Sequence, residues 1–432
     1  MQYRLFLSLV LGGLVSCAAG NDGSGGAGAQ GGEVPWTTGS GAGGSGAGAG
    51  ASGGSGAGGS GGASNGGGGA AAGGTGATGG SGGVGASGGG GEGAGGAGGA
   101  GGGASTSMLA AVGLRAAGVT LARFDGDAET WAVEEFPASP SGSPAIALRS
   151  IDDGLVLFRN GGALSFAPLD NGGFAAPLPV GAAITTRWSP AVSSNGIELH
   201  SLFHGDDFKH YAGVYQSSWG PAAEPVGAAQ SFGPEPGTIV SQADGSALIA
   251  FVGGDGDLYT QTRTAAGVWQ AAEPHGVAPT AVLTPVLTRL SSGTLVLVFN
   301  RQNTTASYQT FSGGIWSAVA NLPDTFTSQT MSLTTLPLNQ AALAFRGTNG
   351  LGYVSLFSPA TGFAQPVPTG LGPTPSCPAV AAGVGGHAIE LAYVDGTTSQ
   401  LSHARAGFDL VFGSVTSMGS TGVLTVAAAS AD

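Results

Sequence analysis

PAIALRSIDDGLVLFRNGGALSFAPLDNGGFAAPL, residues 144–178, decides the fold. Pro144–Arg149 predicts a first β-strand, and Asp152-Asp153-Gly154 the turn that ends it. Leu155–Phe158, Ala163–Phe166 and Phe174–Leu178 predict three more. Short apolar and β-branched runs cut by Gly, Asp, Asn and Pro are strand and hairpin signals. Four such runs in one compact stretch make a small antiparallel sheet. The unit recurs downstream, with Ala247–Phe251, Leu295–Phe299 and Ile389–Tyr393 as further second strands. Proline stands mostly where a first strand begins, the position at which a missing N–H costs least.

Each unit ends on a Gly-rich turn leading to an aromatic residue. These are Trp131, Phe174, Trp219, Trp269, Trp316, Phe363 and Phe408, at intervals of 43, 45, 50, 47, 47 and 45 residues. A period of roughly 40–50 residues built from short strands is the mark of a β-propeller, one four-stranded blade per repeat. An all-β, seven-bladed propeller over residues 108–432 is expected, with six blades as the alternative. Arg115–Trp131 matches Arg159–Phe174 in phase, so Met108–Phe136 supplies the second to fourth strands of one blade. Its missing first strand is Gly422–Ala427, near the end of the chain. Such closure removes the open sheet edges that invite aggregation. The periodic aromatics are expected to pack between sheets.

The chain begins differently. Arg4 precedes an apolar run, Leu5–Val15, too short to span a bilayer, so residues 1–16 read as an export signal. Leu14-Val15-Ser16-Cys17 resembles the lipobox of bacterial lipoproteins. The resemblance implies cleavage before Cys17 and its acylation, anchoring the protein to a bilayer at about 0.8 kcal/mol per buried CH₂. Ala18 follows; the family often places Asp there for inner-membrane retention, so an outer-membrane lipoprotein, periplasmic or at the cell surface, is expected. Residues 17–107 are otherwise almost wholly Gly, Ala and Ser. Such a segment cannot bury enough apolar surface to order itself and is expected to be a disordered tether. As a flexible coil of about 90 residues it would span about 50 Å. Once Cys17 is acylated, Cys377 has no partner and reads as a small buried hydrophobe.

Loops between blades and turns between second and third strands share one face of an antiparallel propeller. There the sequence places its candidate ligand-binding residues. Arg115, Arg159 and Arg346 stand at equivalent second-strand ends, with His204 in a fourth blade. Asp206, Asp207, Asp255, Arg301, Asn303, Asn349 and Asp395 lie close by, and the connecting loops add Arg187, Trp188, Phe232 and Phe326. Guanidinium forks, carboxylates and exposed aromatics are what a saccharide requires: paired hydrogen bonds to hydroxyls and a flat apolar surface for the ring. Solvated turn residues are the simpler explanation at any one position.

No cofactor is expected. Asp125-Gly126-Asp127 and Gly254-Asp255-Gly256-Asp257 could hold Ca²⁺, but Asp-Gly also favours tight turns and neither is a complete calcium loop. From residue 108 onward there are 22 acidic and 11 basic residues, a net charge of −11. That excludes a nucleic-acid partner, which needs a basic footprint. Glycans and surface proteins remain, and a monomer is expected.

The repeated ending, as in Ala265-Ala266-Gly267-Val268-Trp269, is similar to that of propeller lectins of the fucose-binding and seven-bladed bacterial types. This resemblance implies sugar binding in clefts between blades, often with one aromatic and one arginine; Trp188 with Arg187 or Arg159 is the nearest match. Sialidases share the propeller look, but their Ser-x-Asp-x-Gly-x-x-Trp box is absent, since Arg263–Trp269 keeps only the Gly and Trp. Glu134, Glu135, Glu224 and Glu273 fall on predicted outermost strands, leaving no acid–base pair for glycoside chemistry. A non-catalytic, tethered lectin is the leading expectation, a surface protein-interaction propeller the second, and a sialidase-like enzyme the third.

Overall fold

The computed structural model describes residues 108–170, 173–181, 184–220, 222–230, 237–277, 283–301 and 304–431. The export signal, Cys17 and the Gly-rich segment lie outside these residues, as do Phe232 and Asn303. The described chain forms seven antiparallel sheets. Blade 1 is assembled from both ends: Val423–Ala431 is its first strand, followed by Met108–Arg115, Gly118–Asp125 and Thr130–Pro137. Blades 2 to 7 follow in chain order over residues 140–179, 191–230, 238–274, 286–326, 332–373 and 379–421. Seven sheets dispose of the six-bladed alternative. The closing strand runs four residues further than expected, to Ala431, with Met108 opposite Ala431 and a bulge between Leu114 and Arg115.

Second strands carry the core. Leu199–His204, Ala247–Val252, Leu295–Asn300 and Ile389–Val394 are buried along their whole length. Each lies in a sheet covered on both faces by neighbouring blades, so its apolar run is continuous instead of alternating. One aromatic marks the same level in six blades: Phe158, Phe203, Phe251, Phe299, Phe345 and Tyr393, all essentially inaccessible.

The recurring aromatics at the fourth strand pack against the preceding blade. Trp219 lies edge-on to Phe166 at 5.5 Å, Trp316 meets His275 at 4.7 Å, Phe363 meets Tyr308 at 5.1 Å, and Trp131 meets His403 at 5.1 Å. One member of the series is corrected. Phe408 is exposed, and Phe412 pairs with Ala406 and packs on the core between blades 6 and 7. The preceding turn carries Leu410 at a left-handed φ of 59°, which shifts the aromatic four residues along.

A second repeated device holds the turns after second strands. Phe203, Phe251 and Phe345 stack on Tyr211, Tyr259 and Tyr353, with ring planes within 15°. The tyrosine hydroxyls donate to Asp207 at 3.0 Å and Asp255 at 2.5 Å, while Asn349 Nδ2 donates to Tyr353 at 2.7 Å. Gly205, Gly253 and Gly347 let the rings fold back; a Cβ there would lie 2.5–2.7 Å from the tyrosine. Asp207, Asp255 and Asn349 thus serve the turns. Asp125 does likewise, its Oδ1 accepting from the backbone of Asp127 and Ala128. Among the described residues no group of three His, Cys, Asp or Glu is placed to hold a metal.

Hydroxyls link adjacent inner strands around the ring. Ser143 N donates to Ser189 Oγ, Ser241 N to Ser193 Oγ and Val380 N to Ser332 Oγ. Cys377 sits among these strands, 6% exposed, and burial pushes its thiol up to about 12. A neutral thiol is a poor nucleophile, as expected of a packing residue.

Candidate functional site

Two faces result from this topology. The top face carries the inter-blade loops and the turns between second and third strands; the bottom face carries the remaining turns.

Four of the proposed residues meet on the top face, where the loop between blades 2 and 3 crosses the turn 205–208. Thr186 Oγ1 donates toward the carbonyls of Trp188 and His204 at 2.9 and 3.0 Å, and Arg187 N donates to His204 O at 3.0 Å. The loop is thereby fixed to the end of a second strand. The Arg187 guanidinium is exposed and lies 4.5 Å from the ring centroid of Phe208 and 5.8 Å from that of Trp188. No acceptor for it occurs among the described residues. Phe208 adopts a left-handed φ of 64°, costly for a bulky residue, and this turn places its ring beneath the guanidinium. A cavity of about 290 Å³ lined by Thr185, Asp206 and Asp207 opens beside this shelf.

The other candidates lie apart from it. Arg115 pairs with Glu135 at 3.0 Å on the outer strand of blade 1. Arg346 Nε donates to Thr374 O at 2.6 Å and braces the loop into blade 7. Arg301 is exposed in blade 5, and Arg159 is half-buried in blade 2. His204 requires correction as a surface group: its imidazole is inaccessible, edge-on to His210 at 5.3 Å. Only its main-chain carbonyl serves the shelf.

The bottom face holds an arrangement that the sequence reading missed. A cleft of about 610 Å³ between blades 3 and 4 is lined by Glu198, Gln216, Asp244 and Arg263, with Ile197 and Ala265 as apolar wall. Gln216 Nε2 donates to Glu198 Oε1 at 2.7 Å, and Arg263 lies 3.7 Å from Glu224. Beneath them, His200 Nδ1 lies 2.9 Å from Ser241 Oγ, and its Nε2 is 3.2 Å from Glu198 without good alignment. Burial, reinforced by Arg263, holds the His200 pKa below its usual value against the opposing pull of Glu198. Asp244 is held below the usual carboxylate range by hydrogen bonds from Ser246. The available signal was the presence of Glu198 and Arg263 at strand ends in a chain with only 9% charged residues.

No protein-family model matches the chain, and none of the curated proteins matches it. Among solved structures, the chain is similar to the BP39L lectin from Burkholderia pseudomallei, at 15% identity and a TM-score of 0.56, over 72% of this chain and 99% of that one. Weaker likenesses are AofleA from Arthrobotrys oligospora and a point mutant of the Aleuria aurantia lectin in complex with Fucα1-6GlcNAc. The first has 9% identity and a TM-score of 0.47, over 67% of this chain and 88% of that one. The second has 12% and 0.44, over 64% and 96%. At these identities the likeness concerns the fold.

Proposed function

We propose that the propeller is a non-catalytic carbohydrate-binding head. The observation that carries this reading is the exposed Arg187 guanidinium, without an acceptor and set on Phe208 beside Trp188. A planar fork of donors beside aromatic surface suits vicinal hydroxyls and the apolar face of a sugar ring. The fold it shares with the B. pseudomallei lectin supports the same reading. A glycan array probed with the purified full chain tests it. Hits sharing one terminal sugar are expected, with Arg187→Ala weakening them about ten- to a hundredfold, equivalent to about 1.5–3 kcal/mol for hydrogen bonds to a charged group. Unchanged binding in Arg187→Ala and Trp188→Ala would remove the shelf from consideration.

A protein-interaction role is the second reading, favoured by the bottom face. Ile197, Val268, Ile315, Leu338 and Val411 are each 57–77% exposed on its turns. A blank array would favour this reading over the first.

We further propose display of the head on the outer membrane by acylated Cys17 and the Gly-rich tether, on the strength of the lipobox match. Metabolic labelling with a palmitate analogue is expected to mark the full chain and not Cys17→Ser. Equal labelling of the two would refute lipidation at Cys17.

A further inference from the structure

The bottom mouth of the central channel holds a second, chemically different recess. Inner strands of blades 3 to 6 line a cavity of about 740 Å³, within the range of small-ligand sites. Arg289 is the only charged residue among those lining it. Its Nε is buried without a hydrogen-bond partner, and no acceptor for the guanidinium occurs among the described residues. Asp244 is near enough to feel that charge, but no ion pair joins the two; Ser246 donates to its Oδ1 through both Oγ and N, at 2.7 and 3.0 Å. Buried donors in folded proteins are nearly all paired, so the unpartnered Nε at the cavity wall leaves a charged donor open to an acceptor from a ligand.

The wall supplies the rest of the chemistry. Thr335 Oγ1 donates to Arg289 O at 2.6 Å and lies 2.7 Å from Thr288 Oγ1, so these hydroxyls are fixed across the seam between blades 5 and 6. Thr238 and Thr334 are half-buried in paired strands, and no hydrogen bond joins their hydroxyls to another described residue. A hydroxyl can both donate and accept, which suits the hydroxyls of a ligand. A single guanidinium compensates one negative charge, and its fork matches a carboxylate. A dianion would bring a second charge with no cation to meet it, into a head of net charge −11.

We propose that this vestibule binds a small hydroxylated monocarboxylate of the sugar-acid class, the carboxylate on Arg289 and the hydroxyls on Thr238 and Thr334. The site is on the face opposite Arg187 and does not depend on the surface-glycan reading.

Calorimetric titration of the full chain with D-glucuronate tests it, with D-glucose and inorganic phosphate as comparators. Saturable one-to-one binding of glucuronate is expected, with glucose and phosphate much weaker. Arg289→Met should weaken it at least about tenfold, as loss of a charge-assisted pair does. Arg123→Met, on the third strand of blade 1, should leave it unchanged. Thr334→Val, a gentler change in case Arg289→Met fails to fold, should cost about threefold. The proposal is overturned if glucuronate does not bind, if glucose or phosphate binds as well, or if the foldable vestibule variants bind like the parent. Loss of glucuronate binding in Arg187→Ala alone would also overturn it, by placing the ligand on the top face.

Discussion

A chain ending at Thr421 is expected to accumulate as aggregate and to show no cooperative unfolding transition. Val423–Ala431 is the first strand of blade 1 and pairs along the whole of Met108–Arg115. Removing it leaves that strand, Met-Leu-Ala-Ala-Val-Gly-Leu-Arg, as an eight-residue apolar edge. Exposed edges of this kind template pairing with other chains. It also uncovers the core shared with blade 7, where Val423 and Ala428 pack with Ala392, Val394 and Leu401. Burying one valine contributes about 1.5–3 kcal/mol, and each ladder hydrogen bond a net of about 0.5–1.5 kcal/mol. Several of each amount to as much as the 5–15 kcal/mol by which a domain is normally stable. The check is solubility and near-UV circular dichroism of the truncated chain, with and without a synthetic peptide of residues 422–432. Rescue by the peptide is expected. A soluble truncated chain with a sharp unfolding transition would show that closure does not depend on this strand.

The architecture was legible because it depends on local period. Strand runs, turn residues and the phase of Arg115–Trp131 against Arg159–Phe174 all lie within short windows of sequence. Phe408 shows the limit of that reading. Gly407-Phe408 imitates the recurring Gly-x-aromatic ending, but Phe412 forms the bridge to Ala406 and is the residue that packs. The site was less legible for a related reason. Arg115 and Arg346 occupy equivalent strand ends, yet their partners Glu135 and Thr374 lie 20 and 28 residues away and cannot be inferred from the motif. His204 sits where a turn begins and is nevertheless buried, because blade 4 brings Phe251 to 4.5 Å of His210, its cross-strand neighbour. The cleft and the vestibule depend on contacts between successive blades, about one repeat apart. Ser241 reaches Ser193 and Thr335 reaches Arg289 over separations of 48 and 46 residues. A period announces that such contacts exist without saying which polar residues they bring together.

Glu390→Ala is expected to destabilise the protein by about 3–5 kcal/mol, the usual cost of removing one partner from a buried ionic network. Glu390 is fully buried in the second strand of blade 7. Its Oε2 lies 2.6 Å from His403 Nε2, and its Oε1 accepts from Arg405 Nε at 3.2 Å and Val384 N at 3.0 Å. The network crosses the seam at which the ring closes. Arg405 also pairs with Glu129 of blade 1 at 3.0 Å and lies 4.9 Å from the Phe124 ring, while Trp131 packs on His403. Alanine would leave the buried His403 without its carboxylate partner and Arg405 without an acceptor for Nε, although Glu129 and the Val384 carbonyl still hold its other nitrogens. Glu390→Gln keeps an acceptor oxygen and similar volume, so its loss should be smaller. Replacing Glu390 and His403 together by leucine should recover part of the stability, because it removes the orphaned imidazole and refills the buried volume with apolar side chains. Urea unfolding followed by tryptophan fluorescence checks the series, Trp131 reporting directly on the seam. A shift below about 1 kcal/mol for Glu390→Ala would mean that the closing strand alone holds blades 7 and 1 together. A large shift, with recovery in the double leucine variant, would mean that the seam needs a filled and satisfied core at Glu390 and not the charges as such.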